Sequence, residues 1–460
     1  MKFPFRSTTG TRALGALTAL LVTTLVATIS AHANGRPPSS SSLHFRTGHP
    51  NDIIAGMTWG LLVSHDGGQT FEWFCESAVG YSGSFDPDYE YLADGTILAT
   101  TFDGLLASRN GCTFDQTPLS SLPSTPPNEK KFISTIAQGP DGALYAADSG
   151  AASLGKIYKS IDSGVTWPVA VVVGQTSDWW SSIEVAPSDK SRVYLFGYRL
   201  ESGQPRKFLA FRSIDGGVTY QAIPTSGFAT SEQSSIDVAA ISSTNANELW
   251  ARVSTPVAGT GGTDYYRSVD GGLTWAKRLS VEDFSASFVL RSNGEIYVGS
   301  QQSKSFKSTD SGATFKEISP QLRSRCAVEA PDKSVWVCAQ DQPPDAMSIG
   351  KSTDLSTWQK VYRFSETTKP VTCQSGQVQY DECQLQTWCM VKMQLGITST
   401  AVDCNVVPMV DAGLPLVKPP EKGCCDAGAP GSSSMLMGFG VGLLLLRRRR
   451  GSPTPLATNY

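Results

Sequence analysis

Few side chains in this sequence have the chemistry of a catalyst or a ligand, and they fall in short runs. Asp178-Trp179-Trp180 precedes the strand-like run Ile183-Glu184-Val185, and Asp86-Pro87-Asp88-Tyr89-Glu90-Tyr91 precedes the turn Ala93-Asp94-Gly95. Glu232 and Arg323-Ser324-Arg325 occupy comparable positions further on. Paired indoles beside carboxylates suit sugars: the apolar sugar face packs on a ring while the acids accept hydroxyl hydrogen bonds. The competing assignment makes one indole core and the acids ordinary loop residues. Two carboxylates facing one another would also equip a glycoside hydrolase. The Asp86–Glu90 run offers oxygen ligands to calcium but lacks the EF-hand glycine, and no other cofactor is expected. Other chemistries are short of parts. Beyond residue 33 the histidines are His44, His49 and His65, and no G-x-S-x-G elbow occurs, which disfavours a Ser-His-Asp hydrolase. With no C-x-x-C pair and no histidine after His65, a Cys/His zinc site is disfavoured too.

What must position these residues is a repeat. Ser64-His65-Asp66-Gly67-Gly68-Gln69-Thr70-Phe71 returns as SIDSGVTW at 160–167, SIDGGVTY at 213–220, SVDGGLTW at 268–275 and STDSGATF at 308–315. Shortened copies, SRNGCTF and STDLSTW, begin at 108 and 352, and the seven starts are 48 residues apart on average. Such a string suits a tight turn. Ser and Asp bond to nearby backbone, Gly accepts a positive φ, and the closing aromatic is available for burial. Between copies the chain has room for four short strands. In the fifth interval these are 287–290, 295–298, 305–307 and 314–317, separated by turn residues.

The octapeptides resemble the Asp-box (BNR) repeat, S-x-D-x-G-x-[ST]-[FWY], in five full copies. The resemblance implies an all-β, seven-bladed β-propeller of four-stranded antiparallel blades over 43–365. Each box would be the turn between a blade's third and fourth strands, at the outer rim, so Asp66, Asp162, Asp215, Asp270 and Asp310 are expected to be scaffold. The resemblance also implies that segments entering each first strand surround the channel mouth. That makes Trp179, Trp180, Asp178, Glu90, Asp88, Glu232, Arg323 and Arg325 the ligand-binding candidates; no catalytic residue is assigned. Asp-box propellers include sialidases, whose arginine triad begins in an F/Y-R-I-P motif. Here His44-Phe45-Arg46-Thr47-Gly48 lacks the Ile-Pro, and sequence alone does not assemble Arg212, Arg252, Arg267, Arg291, Arg323 and Arg325 into a triad. The single ring also resembles sortilin-like receptors and photosystem-assembly factors, which bind without catalysis. The expected function is a binding module for glycan or protein at the channel face, with an exo-acting glycoside hydrolase of sialidase type as the alternative.

The ends read as addresses. Residues 1–33 combine a basic start, an apolar run and Ala31-His32-Ala33, which is the pattern of a secretory signal peptide. A Pro/Ser linker follows at 34–42, and a Pro-rich stalk occupies 407–423. At 424–450, Cys424-Cys425, a small-residue spacer, a short apolar helix and Arg447–Arg450 resemble the MYXO-CTERM sorting signal of myxobacterial surface proteins. The doubled Cys and the tail at 451–460 depart from it. The resemblance implies a sorting protease as partner and membrane attachment through one of the two cysteines, hence an exported, cell-surface protein; a plain C-terminal membrane anchor is the alternative. The remaining eight cysteines read as disulfides. Cys326 and Cys338 form a natural pair, Cys75 and Cys112 are expected to bridge adjacent blades, and Cys373, Cys383, Cys389 and Cys404 mark a Cys-rich module at 366–406. With 40% hydrophobic residues, including 10 Trp, 14 Tyr and 19 Phe, the chain is neither disordered nor a multi-span membrane protein, and 43 Gly with 27 Pro imply abundant turns. Its net charge of −3 becomes −10 without the basic ends, which argues against nucleic acid as a partner. A monomer is expected.

Overall fold

A computed structural model of the chain describes residues 36–83, 85–121, 131–150, 153–255, 261–302, 304–319 and 321–404. The signal-peptide, stalk, sorting-signal and tail readings, with Cys424 and Cys425, lie outside them. Among the described residues no helix is long and apolar enough to cross a membrane.

Seven antiparallel sheets, each of four consecutive strands, occupy 40–74, 89–116, 132–172, 178–222, 235–281, 287–317 and 324–362. The inner strand of each packs beside that of the next, and that of blade 7 beside that of blade 1, so the sheets form a closed ring about a channel. Short buried runs such as Ile296–Gly299 and Val335–Ala339 are apolar because each sheet is covered on both faces by its neighbours. The hydrophobic clusters accordingly straddle seams: Tyr194, Phe196, Ile236 and Leu249 join blades 4 and 5, and Trp250, Tyr265 and Phe288 join blades 5 and 6.

Two expectations need correction. The serine run assigned to a linker is the start of the first inner strand, Ser40–Arg46. Ser40 is fully buried because its hydroxyl donates to the Ser348 carbonyl of blade 7 at 2.9 Å, across the closing seam. Cys75 and Cys112 do not pair with each other. Cys75 joins Cys383 and Cys112 joins Cys373, so both tie the C-terminal module to the ring, while Cys389–Cys404 closes the module and Cys326–Cys338 links two strands of blade 7. A short strand, Lys369–Pro370, adds parallel to the outer edge of blade 1. A π-helical segment, Gln379–Thr387, then runs into the helix Trp388–Leu395. Gln379, fully buried, donates to the Trp73 carbonyl at 2.7 Å and fixes the module on blade 1.

The octapeptide turns repeat one hydrogen-bond pattern. In blade 4, Asp215 accepts from the Ser213 hydroxyl (2.7 Å), the Thr219 N–H (2.9 Å) and the Thr219 hydroxyl (2.6 Å). Asp66, Asp162, Asp270 and Asp310 do the same in their turns. Each turn also leans on the preceding blade. Gly312, at φ +78°, lies so close to Trp250 that a Cβ would fall 2.4 Å from its ring. Basic residues beside or just before a turn reach the next: Arg109 donates to the Ser163 carbonyl (3.0 Å), Lys159 to Gly216 (2.8 Å) and Arg212 to Gly271 (3.0 Å). Arg267 instead pairs with Glu248 of its own blade.

The Thr219 hydroxyl, then its N–H and the Ser213 hydroxyl, hold the Asp215 carboxyl down at about 2 against an ordinary 3.8. A depressed carboxyl stabilises the fold above its ordinary range and stops doing so as pH falls through its folded value. Stability should therefore decline between about pH 4 and pH 2, and Asp215→Ala should lower the denaturation midpoint at pH 7 while flattening that decline. A variant with the wild-type midpoint and profile would overturn the scaffold role.

Candidate functional site

Where the chain enters the inner strands of blades 2, 3 and 4, four aromatic rings meet on one face. Phe85 lies 4.7 Å from Phe102 and 5.6 Å from Phe132; Phe102 stacks on Phe132 at 4.9 Å, and Phe132 is 6.0 Å from Trp179. Phe102, in the turn between Ile97–Thr101 and Gly104–Ser108, is 56% exposed, which is unusual for so large an apolar ring in a tight turn. Phe85, Phe102 and Phe132 were missed in sequence. The signal available was an aromatic at 102, between two apolar strands, where a turn ordinarily carries polar residues.

The candidates divide. Trp179 belongs to this surface, whereas Trp180 is 2% exposed in the core between blades 3 and 4. Asp178 is sealed inside blade 4, where Arg199 clamps it with Nε at 2.6 Å and Nη2 at 3.0 Å and the Gln175 N–H donates at 2.9 Å. Its expected place at an open mouth is corrected to a structural ion pair. Asp88 accepts from the Thr135 hydroxyl (3.0 Å) and the Ile136 N–H (3.1 Å), and Glu90 from the Gln138 N–H (2.9 Å), so both brace blade 3. Glu232 is exposed in the turn before blade 5. Arg323 pairs with Asp345 at 3.0 Å, and Arg325 donates to the Ser39 hydroxyl at 2.9 Å. Both line a cavity of about 340 Å³ on the entry face beside the C-terminal module. Asp86 pairs with Arg36 at 2.9 Å, away from the contacts of Asp88 and Glu90. Among the described residues no three His, Cys, Asp or Glu side chains gather as a metal site would require.

Arg46, the nearest match to a sialidase arginine, ends its inner strand and so sits at the far end of the channel. There it pairs with Asp52 at 2.7 Å and donates to the Ala93 carbonyl at 2.9 Å. Arg252 pairs with Asp237, Arg267 with Glu248 and Arg291 with Glu295, each within its own blade.

Glu184, which sequence reasoning did not single out, is exposed on the inner strand Asp178–Val185, which lines the channel. Enclosure by the surrounding ring, then the charge of Asp88, raises its carboxyl above the ordinary range although the side chain is open to the channel. Burial, then Asp88 and Glu184, raise Glu90 as well. A raised carboxyl contributes stability below its ordinary range and loses it as pH rises through the folded value. Glu184→Gln should therefore raise the thermal midpoint at pH 8 and leave it unchanged at pH 4. An equal gain at both pH values would show that packing, not charge, is responsible.

Ring, blades and mouth define a seven-bladed β-propeller whose entry face carries an aromatic cluster over blades 2 to 4. No protein-family model and no curated protein matches the chain. Among solved structures it is similar to a YCF48 bound to a D1 peptide, at 15% identity over 66% of this chain and 90% of that one, with a TM-score of 0.40. It is similar to the GH74 enzyme of Niastella koreensis, at 14% identity over 72% of this chain and 55% of that one, TM-score 0.35. It is also similar to a GH93 α-L-arabinofuranosidase of Fusarium graminearum in complex with arabinobiose, at 13% identity over 55% and 87%, TM-score 0.38. Propellers that bind a peptide and propellers that cleave sugars both stand among these structures, and the likeness is one of fold alone.

Proposed function

We propose that the chain is an exported Asp-box propeller, held at the cell surface by its C-terminal sorting signal, that binds glycan or protein ligands at the entry face. The observation that carries this reading is the aromatic cluster in which exposed Phe102 meets half-buried Phe85, Phe132 and Trp179. Flat apolar rings at a channel mouth offer stacking surface to a sugar face or to an apolar peptide side chain. Export is supported by four disulfides, which persist in oxidising compartments. The decisive experiment screens the oxidised mature chain on a glycan array, on peptide ligands and on fluorogenic sialosides and hexosides. Saturable binding that weakens in Phe102→Ser and Trp179→Ala, without turnover, supports the reading; binding indifferent to both variants removes its basis.

The hydrolase alternative draws on the grouping of Glu184 with Asp88 and Glu90, where enclosure by the ring and the charge of Asp88 push the Glu184 carboxyl toward its protonated state. A general acid needs that state. Turnover abolished in Glu184→Gln would favour it. For anchoring, replacing Cys424 and Cys425 together should release the protein or leave it unprocessed, and unchanged surface display would refute attachment through cysteine.

A further inference from the structure

On the entry face, between blade 7 and the C-terminal helix, lies the cavity of about 340 Å³ that Arg325 enters. Its apolar walls come from Pro37, Pro38, Phe364 and Leu395, and four carboxamides, Gln301, Gln340, Gln342 and Gln394, line it as well. The charges in this wall are unequal. Arg323 is neutralised by Asp345, and Asp341 accepts from Arg363, from the Phe364 N–H at 2.9 Å and from the Ser348 hydroxyl. Arg325 bonds, among the described contacts, to a neutral hydroxyl. It occupies the extra position of a bulge: Ser324 pairs with Ala339 and Cys326 with Cys338, which leaves Arg325 outside the ladder and turns it off the sheet. Burial lowers its affinity for its proton; nearby Asp86 offsets this and Arg36 adds to it. One net positive charge thus stands over a cavity of ligand size, ringed by amides that both donate and accept.

We infer that this cavity binds an anionic saccharide, with Arg325 on the acidic group and the glutamines on neighbouring hydroxyls. A guanidinium grips a planar carboxylate or a sulfate through two parallel N–H donors, and carboxamides match vicinal hydroxyls. The proline and Phe364 surfaces supply the apolar wall that a sugar face needs. A fully anionic peptide would make little use of four amides and that wall. The inference rests on the reading of this face as a binding face, but its residues are separate from the aromatic cluster.

The test is calorimetric titration of the full oxidised protein with an oligouronate and with a sulfated oligosaccharide, beside a neutral oligosaccharide and an acidic peptide. Saturable binding of either anionic saccharide should weaken at least tenfold in Arg325→Gln and measurably in Gln394→Ala, with thermal midpoints unchanged. The two arms then tell carboxylate from sulfate as the acidic group. Binding retained in Arg325→Gln, preference for the acidic peptide, or no binding of either anionic saccharide would each overturn the inference. Failure of the aromatic-cluster reading looks different: there Phe102→Ser and Trp179→Ala leave all binding intact while Arg325→Gln still matters.

Discussion

Replacing Cys75 and Cys383 together by alanine is expected to lower the unfolding free energy by about 4–5 kcal/mol, more than the loss of Cys326–Cys338. The reason is distance along the chain. Cys75–Cys383 closes 308 residues and Cys326–Cys338 closes 12. A cross-link restricts the unfolded chain more as its loop lengthens, and a loop of about fifteen residues is worth only about 3 kcal/mol. The double alanine variant at 75 and 383 should therefore have a much lower denaturant midpoint than the variant at 326 and 338. Equal losses, or the reverse order, would show that the C-terminal clip does not hold the ring closed. Cys112–Cys373, which closes 261 residues, overlaps the same loop, so the two effects will not add.

Trp250→Ala should cost about 3–5 kcal/mol, as large-to-small changes of a buried aromatic do. Trp250 is fully buried and sits 5.3 Å from Phe288 and 6.1 Å from Phe315, so it ties blade 5 to the core and turn of blade 6. Its loss removes the surface on which Gly312 rests. Hydrogen exchange should then quicken first along that seam. Trp179→Ala provides the contrast, with little change in midpoint and a fall in ligand binding. If both indoles cost the same stability, the division between core and surface tryptophans drawn above is mistaken.

Sequence carried the fold further than the site. The octapeptides were legible because each must satisfy the same turn: Ser and Asp bond locally, so their spacing does not depend on distant partners. The strands at Ser287–Leu290 and Ser305–Ser308 were readable for the same reason, being fixed by the turns that flank them. Ser40–Arg46 was misread because a run of serines looks like linker until blade 7 supplies a buried carbonyl to accept from one of them. Cys326–Cys338 was legible because its two strands are neighbours in one blade, whereas the partners of Cys75 and Cys112 were not, since which distant segments meet is not written locally. At the site, Trp179 and Trp180 are adjacent in sequence but point to opposite faces of a strand, and only three-dimensional packing decides which meets solvent. Phe102, Phe132 and Phe85 come together from separate blades, which no local pattern reveals.

The C-terminal clip has a mechanical consequence. Tension applied at Cys404 passes through Cys389–Cys404 to the helix, then through Cys75–Cys383 and Cys112–Cys373 into blades 1 and 2. Blade 7, the last blade of the ring, ends at Tyr362, upstream of both staples. It cannot be unzipped from its own end while they hold, so a pull on the tail loads covalent bonds rather than hydrogen-bonded strands. A ring built this way can be towed by its C-terminal end without opening.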